Sequence, residues 1–455
     1  MVCGANSETV MTEPLILNFE QTVHDYRPRR TVFLCHPDLP KEVGTGEGIF
    51  FEFERDVQIP EPTVLDSFLF CFLFAAMERA APLVIRGPIS ARAVRNARLF
   101  QEAWHNWLPS RYKTVDIIAD RVVSERHFKV PPDARAITAF SGGIDSTFTA
   151  IRHARAVLGI ASHKLDAVLT VQGFDIDFAN NRDFNALVQR TQPLIKTLGL
   201  HRHLLRTNIR TCELQNWGHS HGAQIIAALH QFSHEFRYGL IASSRPYRQL
   251  INAWGSHAAT DYLLSGDDLE VVHDGAGFLR TEKVRLIASD PVARSTVKVC
   301  WEGAEQHRNC GRCAKCIRTR LNFLAIGDRN PPCFDSPFEL GMIEDLTVDS
   351  EGGLLELFTI IDYAHKTGIK ESWVPLLERQ VAKLQAPRAE RKNVGLKRER
   401  DNLRRQLKMQ VTKTERLQDR IAGVYDSTSW RITKPLRSVS KGHQWLTRII
   451  RQGRK

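Results

Sequence analysis

Residues 136–147 read Ala136-Ile137-Thr138-Ala139-Phe140-Ser141-Gly142-Gly143-Ile144-Asp145-Ser146-Thr147. The segment Ala136 to Phe140 is short, apolar and β-prone, and the stretch from Ser146 to Leu158 has the apolar content of a helix. Gly142 and Gly143 let the backbone turn tightly between them and bring successive N–H groups, including that of Ile144, to an anion. Ser141, Ser146 and Thr147 add hydroxyl donors, and the helix N-terminus adds its positive dipole end. Asp145 repels a phosphate on its own, so a carboxylate there makes sense chiefly as a ligand for the magnesium that accompanies a nucleoside triphosphate. The bland alternative is a serine-glycine turn with an aspartate at a helix start. No Gly-x-x-x-x-Gly-Lys pattern is present, so attack at the γ-phosphate is not implied.

Outward from this stretch, residues 131–330 alternate β-rich runs with helical ones. The runs are Ala136 to Phe140, Ala167 to Val171, His203 to Arg206 and Tyr238 to Ala242. The helical stretches are Ser146 to Leu158, Asn185 to Leu198 and Gly222 to His234. This alternation predicts an α/β domain with a parallel sheet covered on both faces. Before it, Thr31 to Cys35 and Ile49 to Phe53 read as strands, while Pro62 to Met77 and Ala91 to Trp107 read as helices. They predict an N-terminal α/β or α+β domain over 1–130. Residues 331–385 read as a helical connector and 386–455 as a basic helical tail with a coiled-coil tendency.

In an open parallel sheet, ligands bind beyond the carboxyl ends of the strands. That rule selects Gly173 and Asp175 after the second run, and Ser243, Ser244 and Arg245 after the fourth. Trp254-Gly255-Ser256-His257 with Asp261, and His273-Asp274-Gly275, lie in long loops and offer a general base or a substrate clamp. His221 opens a helical stretch and is a weaker candidate. Lys283 and Arg285 could neutralise a departing pyrophosphate, with Glu282 as their structural partner.

Nine cysteines occur, and four of them, Cys300, Cys310, Cys313 and Cys316, are spaced C-x9-C-x2-C-x2-C around Gly311. Four thiolates at two-residue gaps suit tetrahedral zinc in a structural role, because a full shell leaves no open position. An iron–sulfur cluster uses the same ligands, and His307 stands nearby as a substitute ligand.

Ser141 to Thr147, after a strand and before a helix, resembles the signature of the PP-loop ATP pyrophosphatase superfamily. With the cysteine cluster, the stretch from 136 to about 326 is similar to the branch of 7-cyano-7-deazaguanine synthases. Arg280-Thr281-Glu282-Lys283-Val284-Arg285 and Val297-Lys298-Val299-Cys300-Trp301 fall where that branch has a Lys-x-Glu helix start and a strand into Cys-aromatic. The branch's Pro-Gly-Arg-Asn and Asp-Cys-Arg segments are absent. The resemblance implies an ATP-dependent, AMP-forming ligase that activates a carboxylate or carbonyl oxygen for a nitrogen nucleophile. It implies ATP, Mg2+ and Zn2+ as cofactors, Ser141 to Thr147 with Gly173 and Asp175 on the nucleotide, and Asp145 on magnesium. It leaves the acceptor open, with tRNA or deazaguanine modification as an alternative.

At 455 residues, 42% hydrophobic and 25% charged, the chain suits a multidomain globular protein. The longest apolar run, Leu69 to Met77, is too short to span a bilayer, and the segment from Met1 has no basic start, so a cytoplasmic location is expected. Charge is uneven: residues 381–455 hold 21 Lys and Arg against 6 Asp and Glu, whereas the first 380 hold 42 against 45. The excess of cations therefore belongs to the tail. Leu396, Leu403, Leu407, Leu417, Ile421 and Val424 lie on a broken heptad seam there, which offers a route to homo-oligomers. Ser427-Thr428-Ser429-Trp430-Arg431-Ile432-Thr433-Lys434-Pro435-Leu436-Arg437 resembles a segment near the ends of bacterial surface-polysaccharide glycosyltransferases. Trp430 and Trp445 among basic residues suit an anionic membrane surface at the inner face or a partner protein. Nucleic acid is less favoured because aromatics are few. A non-catalytic scaffold for polysaccharide enzymes is the remaining alternative.

Overall fold

The computed structural model describes residues 12–386 apart from 124–132, 251, 304 and 349. One compact unit runs Met1–Val381 and a second covers Ala382–Lys455. The heptad seam, the Trp430 segment and the rest of the basic tail lie outside the described residues.

Ten strands form a single sheet: β1 (Leu15–His24), β2 (Arg27–Cys35), β3 (Ile49–Glu52), β4 (Leu83–Ser90), β5 (Ile117–Val123), β6 (Arg135–Ala139), β7 (Lys164–Gln172), β8 (His201–Thr207), β9 (Tyr238–Ala242) and β10 (Glu270–Asp274). Their order is β10-β9-β6-β7-β8-β3-β2-β1-β4-β5. The five strands from β10 to β8 are all parallel, as the alternation predicts. The N-terminal strands continue the same sheet, because β3 pairs antiparallel with β8 through Phe51 with Thr207 and Glu52 with Arg206. Buried Glu52 secures that seam, accepting from Arg29 at 2.5 Å and from Arg206 at 2.7 Å. The sheet and its core thus cross the position near residue 130 where the pattern suggested a domain boundary.

Helices cover both faces, since strands buried on two sides need apolar cover on each. The apolar run 69–77 lies in the helix Asp66–Arg79, buried from Asp66 to Met77 and packed against the helix Trp217–His230. The other face carries Ile144–Ala154, Arg280–Ala288 and Ala314–Leu324, whose apolar sides share one core with β6 and β9. The connector is helical, with Glu351–Lys366 followed by residues 373–386, and it anchors through Trp373, Leu377 and Val381. No helix among the described residues is long and apolar enough to cross a membrane.

Among the parallel strands the chain runs outward from β6 to β7 and β8, then returns to β9 and β10 on the other side. The reversal lies between β6 and β9. Open sheets bind ligands at such a point, beyond the strands' carboxyl ends.

Candidate functional site

A cavity of about 410 Å³ opens at that reversal. Ser141 lines it from the loop after β6, Asp145 and Ser146 from the first turn of the helix that follows, Asp175 from the loop after β7, and Ser244 from the loop after β9. The loop is built as its sequence requires. Gly142 has φ +75°, and Gly143 caps the helix without a side chain. The first intrahelical bond is Thr147 N–H to the Gly143 carbonyl at 3.0 Å, so the earlier N–H groups of the helix are left without intrahelical acceptors. Ser146 Oγ donates to the Gly143 carbonyl at 3.3 Å and accepts from the Ser141 N–H at 3.3 Å, which pins the turn. Ile144 and Thr147 are buried in the core side of the helix, outside the cavity lining.

Asp145 Oδ1 accepts from Lys283 Nζ and Oδ2 from Arg280 Nη1, both at 3.1 Å. Burial pushes this carboxyl up, but Arg280, Lys283 and Lys315 outweigh it and hold the group below its usual value. Lys283 is itself fixed, donating to the Ser243 carbonyl at 2.5 Å. Arg285 does not join them. It is exposed, because two residues along a helix turn it by about 200° from Lys283. Arg280, one turn before Lys283, takes the place expected for Arg285. Glu282 accepts from the Leu279 N–H at 2.7 Å and so caps its own helix rather than pairing with Lys283.

The residues after β7 are placed as expected. Gly173 has φ +101°, and a Cβ there would lie 1.8 Å from the Thr207 carbonyl oxygen, so only glycine fits. Asp175 is exposed at the cavity wall. Of the residues after β9, Ser244 lines the cavity and accepts from Trp254 Nε1 at 3.1 Å, while Ser243 is buried with its hydroxyl bonded to the Arg245 carbonyl at 2.6 Å. His257 and Asp261 do not line the cavity. Asp261 is buried and accepts from Ser256 Oγ at 2.7 Å, His257 N–H at 2.9 Å and His273 Nδ1 at 2.7 Å, which staples the loop internally. His257 Nδ1 accepts from the Ala259 N–H at 3.0 Å. Asp274 is bound to Thr149 at 2.7 Å and to Arg152 at 3.2 Å. His221 does reach the cavity, with its ring 5.3 Å from that of Trp254, and burial lowers its basicity.

Two lysines that the sequence reading passed over complete the lining. Lys298 is 5% exposed and Lys315 half-buried, and neither has a carboxylate within ion-pair distance among the described residues. Burial pulls Lys298 below its usual value and Lys315 down to about 8. Lys315 also stands 3.9 Å over the Trp301 ring. The signal available in the sequence was their spacing: Lys298 lies two residues before Cys300, and Lys315 immediately before Cys316.

Those cysteines converge. The sulfurs of Cys300, Cys310, Cys313 and Cys316 lie within 4.8 Å of one another, with Cys300 to Cys313 at 3.8 Å and Cys310 to Cys316 at 3.9 Å. A zinc tetrahedron with bonds of about 2.3 Å has edges of about 3.8 Å, so the set fits a single tetrahedral ion. Thiolates on a four-iron cube each bind a different iron and stand further apart. Gly311 at φ +76° makes the turn, Cys313 N–H donates to Cys310 Sγ at 3.3 Å, and Cys316 N–H to Cys313 Sγ at 3.4 Å. His307 lies outside the converging set, and its Nδ1 bonds Asp183 at 2.9 Å. The Lys298 N–H donates to the Gly142 carbonyl at 2.8 Å, so the cysteine segment and the glycine loop touch directly. No family model, curated protein or solved structure matches the chain.

Proposed function

We propose that the chain is an ATP-dependent, AMP-forming ligase of the PP-loop type. In it an acceptor oxygen attacks the α-phosphate, pyrophosphate leaves, and a nitrogen nucleophile then displaces AMP. The observation that carries this reading is the pair Lys298 and Lys315, cations facing the Ser141–Ser146 loop with no carboxylate within ion-pair distance among the described residues, although Asp145 and Asp175 act on them from farther away. A buried unpaired ammonium is costly, and an anionic ligand repays that cost. A glycine turn, a helix N-terminus and two such lysines form a polyphosphate cradle. Phe174, Trp217 and Trp254 in the same lining suit a flat heterocycle.

Within this reading Ser141 and Ser146 hold the phosphates with Lys298, and Lys283 and Arg280 orient Asp145. Asp145 and exposed Asp175 would hold magnesium, which supplies charge neutralisation at the phosphates. The four-cysteine set would hold zinc as structure. The direct test is product identity with ATP and magnesium, using the small acids that co-purify with the protein as acceptors. AMP and pyrophosphate are expected; ADP with inorganic phosphate as the main products would overturn the reading.

A further inference from the structure

We infer that the acceptor carries a second oxyanion, a phosphate or carboxylate other than the oxygen that is activated, and that this group sits in a side chamber beside Asp145. The inference rests on the ligase reading for what fills the main cavity. The chamber, about 260 Å³, shares Asp145, Ser244, Trp254, Trp301 and Lys315 with that cavity. Ser141, Ser146 and Lys298 do not line it, so it is separate from the polyphosphate cradle.

Its wall holds four cations, Arg245, Arg280, Lys315 and Arg318, against two carboxylates among the described residues, Asp145 and Glu356. Both carboxylates are already engaged. Asp145 takes Arg280 and Lys283, and Glu356 takes Arg318 at 2.9 Å and Arg280 at 3.4 Å. Arg245 has no carboxylate within ion-pair distance among the described residues; its guanidinium stands 4.2 Å over the Trp254 ring. The chamber floor is the start of the helix Glu351–Lys366. A Cβ on Gly352 would lie 2.9 Å from Arg245 Nη2, and one on Gly353 3.2 Å from Arg318 Nη1. Arg318 is already paired with Glu356, whereas Arg245 stands against the positive end of the helix with only the more distant charge of Glu351 to offset it, and an oxyanion in the chamber would supply the close negative charge that Arg245 lacks. The space admits a phosphate or carboxylate with a short linker.

Calorimetry on the full chain tests this, with α,β-methylene-ATP and magnesium as the nucleotide probe and inorganic phosphate as the probe of the chamber. With the analogue saturating, phosphate should still bind. Arg245→Met should weaken phosphate about tenfold or more while leaving the analogue's affinity and the melting temperature unchanged, and Arg245→Lys should keep part of the affinity. Malonate in place of phosphate distinguishes a carboxylate seat from a phosphate seat. Displacement of phosphate by the analogue, or equal weakening of both ligands in Arg245→Met, would assign the chamber to the nucleotide's own phosphates and overturn the inference. Failure of the analogue to bind at all would instead overturn the ligase reading on which the inference rests.

Discussion

Lys298→Met separates binding from stability with opposite signs. Lys298 is 5% exposed and has no carboxylate within ion-pair distance among the described residues, so in the free protein its charge is held at a cost. Methionine keeps the length of the apolar stem and removes the charge, while the backbone N–H to Gly142 remains. Relief of even part of the burial cost is worth about 1 kcal/mol, which for a folded unit of this size raises the melting temperature by about 1 °C. A charge-assisted bond from an ammonium to a phosphate contributes about 1.5–3 kcal/mol, so the same change should weaken Mg-ATP binding about 10- to 100-fold. Thermal melts with and without nucleotide, together with calorimetry, read both. The wild type should gain stability from ATP, and the variant should start higher and gain less. A variant that melts several degrees lower and binds ATP unchanged would show that Lys298 is part of the scaffold and would remove the main support for the ligand site.

Elemental analysis should find about one zinc per chain. Cys313→Ser should lower the melting temperature and also weaken nucleotide binding, because Lys298 and Lys315 lie on the two segments that the sulfurs hold together; unchanged nucleotide affinity in a zinc-free but folded variant would refute that coupling. Gly173→Ala should cost several kcal/mol or abolish folding, since its Cβ would meet the Thr207 carbonyl at 1.8 Å; wild-type stability in urea would contradict the geometry. Asp66 is buried, and desolvation pushes it up to about 6 despite hydrogen bonds from Ser90. Its folded state therefore holds the proton more tightly than the unfolded chain, so its contribution is full below about pH 4 and is lost as pH rises through 6. Asp66→Asn should be more stable than wild type by about 2–3 kcal/mol at pH 8 and show no such advantage at pH 4; parallel stability curves across that range would refute the assignment.

The parallel half of the sheet was legible because β6, β7 and β9 are buried along most of their length and so read as short apolar runs, while β8 shows itself only through Leu204 and Leu205. The glycine loop was legible for the same local reason: a positive φ at Gly142 and an unobstructed helix start leave their mark within seven residues. β1, β4, β5 and β10 escaped notice. β1 leaves its distal half exposed and β5 is an edge strand, so neither carries a continuous apolar signal. The antiparallel seam between β3 and β8 is a pairing across more than 150 residues, which no local pattern encodes. Side-chain direction was the harder problem at the site. Arg285 and Arg280 were indistinguishable as letters, and only the helical phase separates them. His257 and Asp261 were rightly placed in one loop but bond inward, because a buried carboxylate must satisfy its oxygens and found Ser256, His257 and His273 to do so.

The lysines show why the cysteine motif and the phosphate loop belong to one argument. Neither Lys298 nor Lys315 stands out in a chain with 63 Lys and Arg residues. Each becomes informative through its neighbour: Cys300 and Cys316 are buried at 1% and 0%, so the residues beside them are carried into the interior and their long side chains must exit somewhere. The exit is the cavity at the strand reversal. Two ammonium groups there repel each other, and the packing around four converging sulfurs is what holds the two segments in place against that repulsion. The Lys298 N–H to the Gly142 carbonyl then transmits the position of the sulfur cluster to the loop at 2.8 Å. Zinc held by the four thiolates would carry two net negative charges, which would offset part of the positive charge of the two lysines while leaving their ammonium groups facing the cavity. A metal-loaded cluster would therefore do more than lock a fold: it would lower, without removing, the cost of concentrating positive charge beside the glycine loop.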